Sequence, residues 1–256
     1  MKQSAFIVIL FVLALVVSVA IYEVGLGAAG NFSDAAREKP TNLPGRAYTG
    51  GPLISLLICL SIMDVAIIIE RSLSLRRAAG KKAIPKFFKE TIESIRSGKI
   101  DDAIAACDAQ RGSVANVLKA ALSRYKELTS GKSTVDSEKQ LVEVQRSVEE
   151  AMMLETPLLE KNLISLSTIA SIATMTGLLG TVIGMIRAFA AMAQTGAPDA
   201  VSLATGISEA LFNTAGGLMV AIIGIVSYNF FVNKVDNFTF QVDEASYNVI
   251  QLLKSK

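Results

Sequence analysis

The sequence predicts an all-α, multi-pass membrane protein whose long helices extend into a helical domain on one side of the bilayer. Three observations predict it. Of 256 residues, 51% are hydrophobic and only 19% charged, where soluble domains carry about 25% charged residues. The apolar excess is gathered into four runs: Ala5 to Tyr22 without a charge, Gly51 to Ile69 with only Asp64, Leu163 to Met192 with only Arg187, and Val201 to Val232 with only Glu209. Each reaches the roughly 18–20 residues that cross a hydrocarbon core about 30 Å thick. The charge is also segregated, since residues 71–161 hold 17 of the 25 Lys and Arg and 13 of the 23 Asp and Glu. That marks one water-facing domain between the second and third runs.

Residues 1–28 read as a retained N-terminal membrane helix or uncleaved signal. The apolar part is longer than the roughly 7–15 residues of a signal core, although Ala28 and Ala29 offer a cleavage region. Residues 29–50 follow as a loop, within a segment from Gly25 to Pro52 rich in Gly, Pro, Asn and Ser. The second span, 51–70, closes on Glu70 and Arg71, with Arg76, Arg77, Lys81 and Lys82 close behind. Such a basic cluster stays in the cytoplasm, which predicts both termini and residues 71–161 inside, and 29–50 and 194–202 outside.

The 71–161 domain reads as helices. Ile84, Phe87, Phe88, Ile92 and Ile95 recur at helical spacing, with Pro85 near the start and Gly98 past the end. Asp101 and Asp102 place acid in the first turn of a second helix, and Val114 to Leu128 forms a third. From Val135 the apolar positions Leu141, Val144, Val148, Met152 and Leu158 run into the third span, 162–193. They predict one continuous helix over about 136–192 that Pro157 kinks or breaks. Residues 203–233 form the fourth span and 234–256 a cytoplasmic C-terminal helix.

Composition excludes several chemistries. There is no histidine, and Cys59 and Cys107 are isolated, which leaves no His/Cys metal cluster, no imidazole base and no disulfide framework. Both cysteines read as small packing residues. No phosphate-cradling GxxxxGK[ST] loop occurs. Neither an ATP-driven pump nor a cofactor is therefore expected.

The third and fourth runs are too rich in glycine and hydroxyls to be mere anchors. Ser167, Ser171, Thr174 and Thr181 share one helix face in a run that also holds Gly177, Gly180 and Gly184. Ala210, Thr214, Gly217 and Ala221 form a second small-residue stripe. Close helix packing explains such stripes, and so does a water-accessible lumen lined by hydroxyls. If the two spans are antiparallel neighbours with Thr181 level with Thr214, Arg187 and Glu209 come to nearly one depth. They then form either a structural ion pair or an electrostatic ring on a proton path. Asp64 reads as a member of a structural pair, a snorkelling residue or a proton-transfer group, since a charge in the bilayer must face protein or water.

The residues Gly177-Leu178-Leu179-Gly180-Thr181-Val182-Ile183-Gly184-Met185, then Phe189, resemble the motif of one pore-lining span of the MotA/TolQ/ExbB proton channel family. Gly206-Ile207-Ser208-Glu209-Ala210-Leu211, with Thr214-Ala215 and Gly217-Leu218, is similar to the motif of the next span. Ile67 to Arg71 and Tyr228-Asn229 fit as well, so the resemblance covers roughly residues 51–240. The N-terminal span is additional to the usual three, and Arg187 departs from the family pattern.

The resemblance implies an ExbB-like proton-channel subunit of the bacterial inner membrane, with residues 29–50 and 194–202 in the periplasm. It further implies a homo-oligomeric, pentameric ring around an ExbD/TolR-like single-span protein, which carries the proton on its own aspartate, and a TonB-like protein as further partner. Thr181, Thr214 and Glu209 would line the proton pathway, Arg187 and Asp64 would act as electrostatic partners, and Gly177, Gly180, Gly184 and Gly217 would serve helix packing. A MotA-like or gliding-type stator is the nearest alternative, although prolines would be expected in the last two spans and Leu163 to Val232 holds only Pro198. A non-transporting membrane scaffold would leave Glu209 and Arg187 as unexplained cost.

Overall fold

The computed structural model describes residues 3–37, 39–130, 137–195 and 200–254. The described residues are almost wholly helical and contain no β-strand. Two compact units emerge, Met1–Ile69 with Asn162–Asn229, and Glu70–Lys161 with Phe230–Lys256. Four stretches, Ala5–Leu26, Pro52–Ala78, Lys139–Ala190 and Leu203–Lys254, are helical, long and apolar enough to cross a bilayer. The chain is a multi-pass, all-α membrane protein.

In the first unit, α1 (Gln3–Ala20) runs into a π-helical turn, Ile21–Leu26. It buries only the stripe Ala14, Ser18 and Tyr22, four residues apart, and exposes Val8, Val12, Val16 and Val19, as suits a helix that meets lipid over most of its girth. The Gly25–Pro52 segment is more ordered than the expected loop. It contains a 3-10 turn, Ala29–Asn31, and a helix, α2 (Leu43–Thr49), whose first turn is capped by Asn42 Oδ1 accepting from Gly45 N at 3.0 Å. Tyr22 stacks on Tyr48 at 4.6 Å and donates its hydroxyl to Tyr48 O at 2.9 Å, while Phe32 meets Tyr48 edge-on at 5.5 Å. Asn31 Nδ2 donates to Gly25 O and Leu26 O. Side-chain caps and ring contacts organise this segment, and neither leaves an apolar periodicity to read.

Three long helices complete this unit: α3 (Pro52–Ala78) as far as Ile69, α8 (Leu163–Thr195), and the first part of α9 (Ala200–Lys254). Helix α3 starts with Pro52 at its first position, where a missing N–H costs nothing. The expected fourth span and C-terminal helix are one uninterrupted helix, α9.

In the second unit the end of α3 and part of α9 accompany α4 (Ile84–Arg96), α5 (Ile100–Gln110), α6 (Ser113–Ser130) and α7 (Ser137–Glu160). Helix α4 has Pro85 in its first turn and is followed by Gly98 at φ 77°; α5 carries Asp101 and Asp102 in its first turn. Phe87, Ile95, Val114, Leu118, Leu122 and Val144 are fully buried, and Arg124 Nη2 donates to Glu143 Oε2 at 2.8 Å between α6 and α7. Gln110 clasps the α3–α4 turn, accepting from Lys82 N at 2.9 Å and donating to Lys82 O at 2.8 Å. Burial pushes the Cys107 thiol up to about 12, which suits an inert packing residue.

The expected helix over 136–192 is interrupted, and not at Pro157. Helix α7 ends at Glu160, α8 begins at Leu163, and Asn162 between them takes the left-handed conformation at φ 62°. Pro157 lies in the last turn of α7, where it removes only the bond to the carbonyl four residues earlier and the helix continues past it to Glu160. Arg71 finishes that end. Only 1% exposed, it is held by Glu70 through Nε at 2.7 Å, and its Nη1 donates to Leu159 O at 3.3 Å and Leu158 O at 3.5 Å. Those carbonyls have no acceptor role left inside the helix, so an arginine from the end of α3 caps α7.

Candidate functional site

Glycine sets how α8 and α9 meet. A methyl built on Gly217 would lie 2.6 Å from Ala173 O and 2.8 Å from Gly177 Cα; one on Gly184 would lie 2.8 Å from Ala210 Cβ; one on Gly206 would lie 2.7 Å from Ala188 Cβ. Gly180 abuts Asn213, and Gly224 abuts Ala170. Rising numbers on α8 meet falling numbers on α9, so the helices are antiparallel, within about one residue of the register that sets Thr181 level with Thr214. Backbones come close enough along this seam that no side chain larger than hydrogen fits at Gly177, Gly180, Gly184 or Gly217 without a shift.

The hydroxyls do not share one surface of the protomer. Thr214 belongs to the seam, where its Oγ1 donates across to Gly177 O at 3.1 Å. Thr181 is half-buried, donates to Leu178 O on its own helix at 2.6 Å, and faces outward into an apolar groove of about 550 Å³ with Val182, Met185, Ile186 and Phe189. Ser171 and Thr174 likewise donate to carbonyls four residues back, at 3.0 and 3.1 Å. Each hydroxyl keeps its acceptor lone pairs, so this face of α8 can still receive hydrogen bonds from another helix or water.

Glu209 and Arg187 line a separate cavity of about 140 Å³ with Gly50, Pro52, Leu53, Gly180, Ile183, Gly184 and Asn213. Arg187 is exposed and Glu209 half-buried. They face the same space, but no ion pair within 4.0 Å joins them among the described residues. Among the described residues Asp64 forms no ion pair. It is 1% exposed, and neither carboxyl oxygen has a hydrogen-bond partner among the described residues.

Sequence reasoning missed Asn213. This side chain is 3% exposed and packs against Gly180, and its Nδ2 donates to Gly50 O at 2.9 Å and Glu209 O at 3.3 Å. It joins the seam to the start of α3 and forms one wall of the Glu209 cavity. The signal was an amide inside an apolar run, one residue before Thr214 in the small-residue stripe.

Residues 109–244 match the model of the MotA/TolQ/ExbB proton channel family, a stretch that contains α8, the seam part of α9, and Glu209, Arg187 and Asn213 of the cavity. The chain belongs to this family. Over 88 residues, 34% of the chain, it is 41% identical to the biopolymer transport protein ExbB of Pseudomonas putida, and that match spans 27% of the relative's length. It is 29% identical over 175 residues to the Tol-Pal system protein TolQ of Pseudomonas aeruginosa, covering 68% of this chain and 74% of TolQ. It is 24% identical over 209 residues to the ExbB of Neisseria meningitidis serogroup A, covering 78% of this chain and 90% of that protein. As a member of the MotA/TolQ/ExbB family, the chain presents Thr181, Thr214 and Glu209 on three differently directed surfaces: the outward groove, the seam, and the small cavity.

Proposed function

We propose that this chain is the proton-conducting ring subunit of a bacterial inner-membrane motor, which converts proton motive force into mechanical work on the cell envelope. The observation that carries the reading is the family match across both seam helices, residues 109–244. Two features support it. The glycine seam makes a stiff two-helix stave, and the Thr181 groove leaves that stave an unfilled apolar face with one hydroxyl on it. Staves of this kind, repeated as a pentamer, would enclose a single-span partner of ExbD/TolR type that brings the titrating carboxylate. A TonB-like protein would pass the motion outward. The spans at 1–28, 51–70, 162–193 and 203–233 would then leave both termini in the cytoplasm, with 29–50 and 194–202 in the periplasm, of which 38 and 196–199 lie outside the described residues.

In this reading Thr181 passes or orients a proton, while Glu209 and Arg187 set the potential at one end of its path. Each proton that crosses releases about 2.3 kcal/mol per 100 mV of membrane potential. The envelope process is of ExbB type. A TolQ-type process is the second reading, favoured by the relative that shares 74% of its length with this chain. Proton flux into vesicles decides the central claim: flux should require co-reconstitution of a single-span partner and fall in Thr181→Val. Equal flux with and without that partner, or in Thr181→Val and wild type, refutes it. Complementation of an ExbB-deficient or a TolQ-deficient strain then separates the two processes.

A further inference from the structure

Asp64 lies in α3 within the first unit, 1% exposed, and neither of its oxygens has a hydrogen-bond partner among the described residues. Its carboxyl points to α9, where a methyl built on Gly224 would lie 3.0 Å from Asp64 Oδ2 and 3.0 Å from Ala170 Cβ. The carboxyl therefore occupies the place where α3, α8 and α9 meet, in room left by the missing Cβ of Gly224. Among the described residues no packed element brings a counter-charge to Asp64. From α9 come Gly224 and, one turn on, Tyr228; from α8 come Ala170 and the carbonyl of Leu166. The described part of α1 has no ionisable side chain before Tyr22, and on α3 the other ionisable groups are Cys59, the mutually paired Glu70 and Arg71, and Arg76 and Arg77 in the last turn, about three turns beyond Asp64. A carboxylate here would have lost its water and gained neither a cation nor a donor, the least favourable state for a charge within a membrane.

We propose that Asp64 holds a proton as a neutral carboxylic acid, making the α3–α8–α9 junction a proton-binding site of this chain's own. The site is separate from the Thr181 groove and from the Glu209 cavity. It stands or falls without the conduction reading above, because it rests only on the burial and surroundings of one carboxyl. The ligand is a single proton, bound to a side-chain oxygen and released to water.

A neutral buried acid has a distinctive reaction. An apolar carbodiimide takes the acid's proton on nitrogen, and the carboxylate oxygen adds to its central carbon, giving an O-acylurea that rearranges to a stable N-acylurea. An ionised carboxylate lacks the proton that starts this sequence.

The full chain in lipid vesicles at neutral pH is treated with dicyclohexylcarbodiimide and its peptides are weighed. Infrared difference spectra are taken between wild type and Asp64→Asn. The expected results are an adduct on residue 64 that is lost as the pH is raised, and a protonated-carboxyl C=O band that is lost in Asp64→Asn. Wild-type labelling needs no variant, so failure of Asp64→Asn to fold leaves the test decisive. Absence of the adduct from neutral wild-type protein overturns the proposal. So does a difference spectrum with carboxylate bands, and if those bands require sodium the junction binds a metal cation instead.

Discussion

Neighbouring glycines on α9 allow the seam to be tested with its confounding terms cancelled. Gly216 and Gly217 are consecutive residues of one helix, so an alanine at either gains the same helix propensity, about 1 kcal/mol in water. Their surroundings differ. A methyl at Gly217 would lie 2.6 Å from Ala173 O and 2.8 Å from Gly177 Cα, both backbone atoms, whereas at Gly216 the nearest atom is the end of the Leu57 side chain at 3.3 Å. Ordinary contacts of such a carbon lie between 3.4 and 4 Å, so Gly217→Ala must push α8 and α9 apart by more than half an ångström. A gap of about 0.5–1 Å forfeits a quarter to a half of each dispersion contact along the seam, and overpacking of this kind costs about 1–3 kcal/mol. Gly217→Ala should therefore be less stable than Gly216→Ala by about 1–3 kcal/mol, measured by denaturant titration in mixed micelles, with Gly30→Ala as a neutral control because nothing lies within 4 Å of it. The reasoning is falsified if Gly216→Ala and Gly217→Ala have equal stability.

Three further outcomes follow from the geometry. Thr214→Val removes the hydrogen bond across the seam and should cost about 0.6 kcal/mol, and at most about 1.7, whereas Thr181→Val loses only a bond to its own helix and should unfold like wild type in the same titration; the reverse order would contradict the assignment of faces. Arg71→Met leaves the carbonyls of Leu158 and Leu159 uncapped and should cost about 1.5–3 kcal/mol, with faster amide exchange beginning at the α7–α8 break; unchanged exchange there would count against the cap. Cysteines at Asn42 or Thr195 should react with an impermeant reagent on intact spheroplasts, while cysteines at Gly131 or Ser255, outside the described residues, should react only after permeabilisation; the opposite pattern would invert the orientation.

What could be read in advance was whatever is local. Apolar run length placed the long membrane helices, and Pro85, Gly98, Asp101 and Asp102 placed the ends of α4 and α5, because caps and span length are written within a few consecutive residues. The α7–α8 break was misplaced because proline is the louder local signal. Pro157 disturbs only the turn before it, whereas Asn162 takes the left-handed conformation that stops the chain. Asn213 could not be assigned because its partner is the carbonyl of Gly50, 163 residues away in the chain. The state of Asp64 was hidden for the same reason: whether a lone carboxylate in a span finds a counter-charge depends on the faces of two other helices. The register of the seam was nearly right because small residues on both helices leave few alternative ways to interdigitate.

The arginine that caps α7 does more than end a helix. Arg71 leaves the end of α3, Leu158 and Leu159 precede α8, and these carbonyls, 87 and 88 positions further along the chain, lie within reach of one guanidinium. An excursion that starts and finishes at the same point is an interchangeable cassette. Its interior should be exchangeable for that of a relative when the α9 segment of the same unit, Phe230–Lys256, is exchanged with it, provided the arginine and its two carbonyls travel with the frame. Chimaeras cut outside Arg71 and Leu159 would carry the joint intact into a new host, and those cut inside would separate the donor from its acceptors.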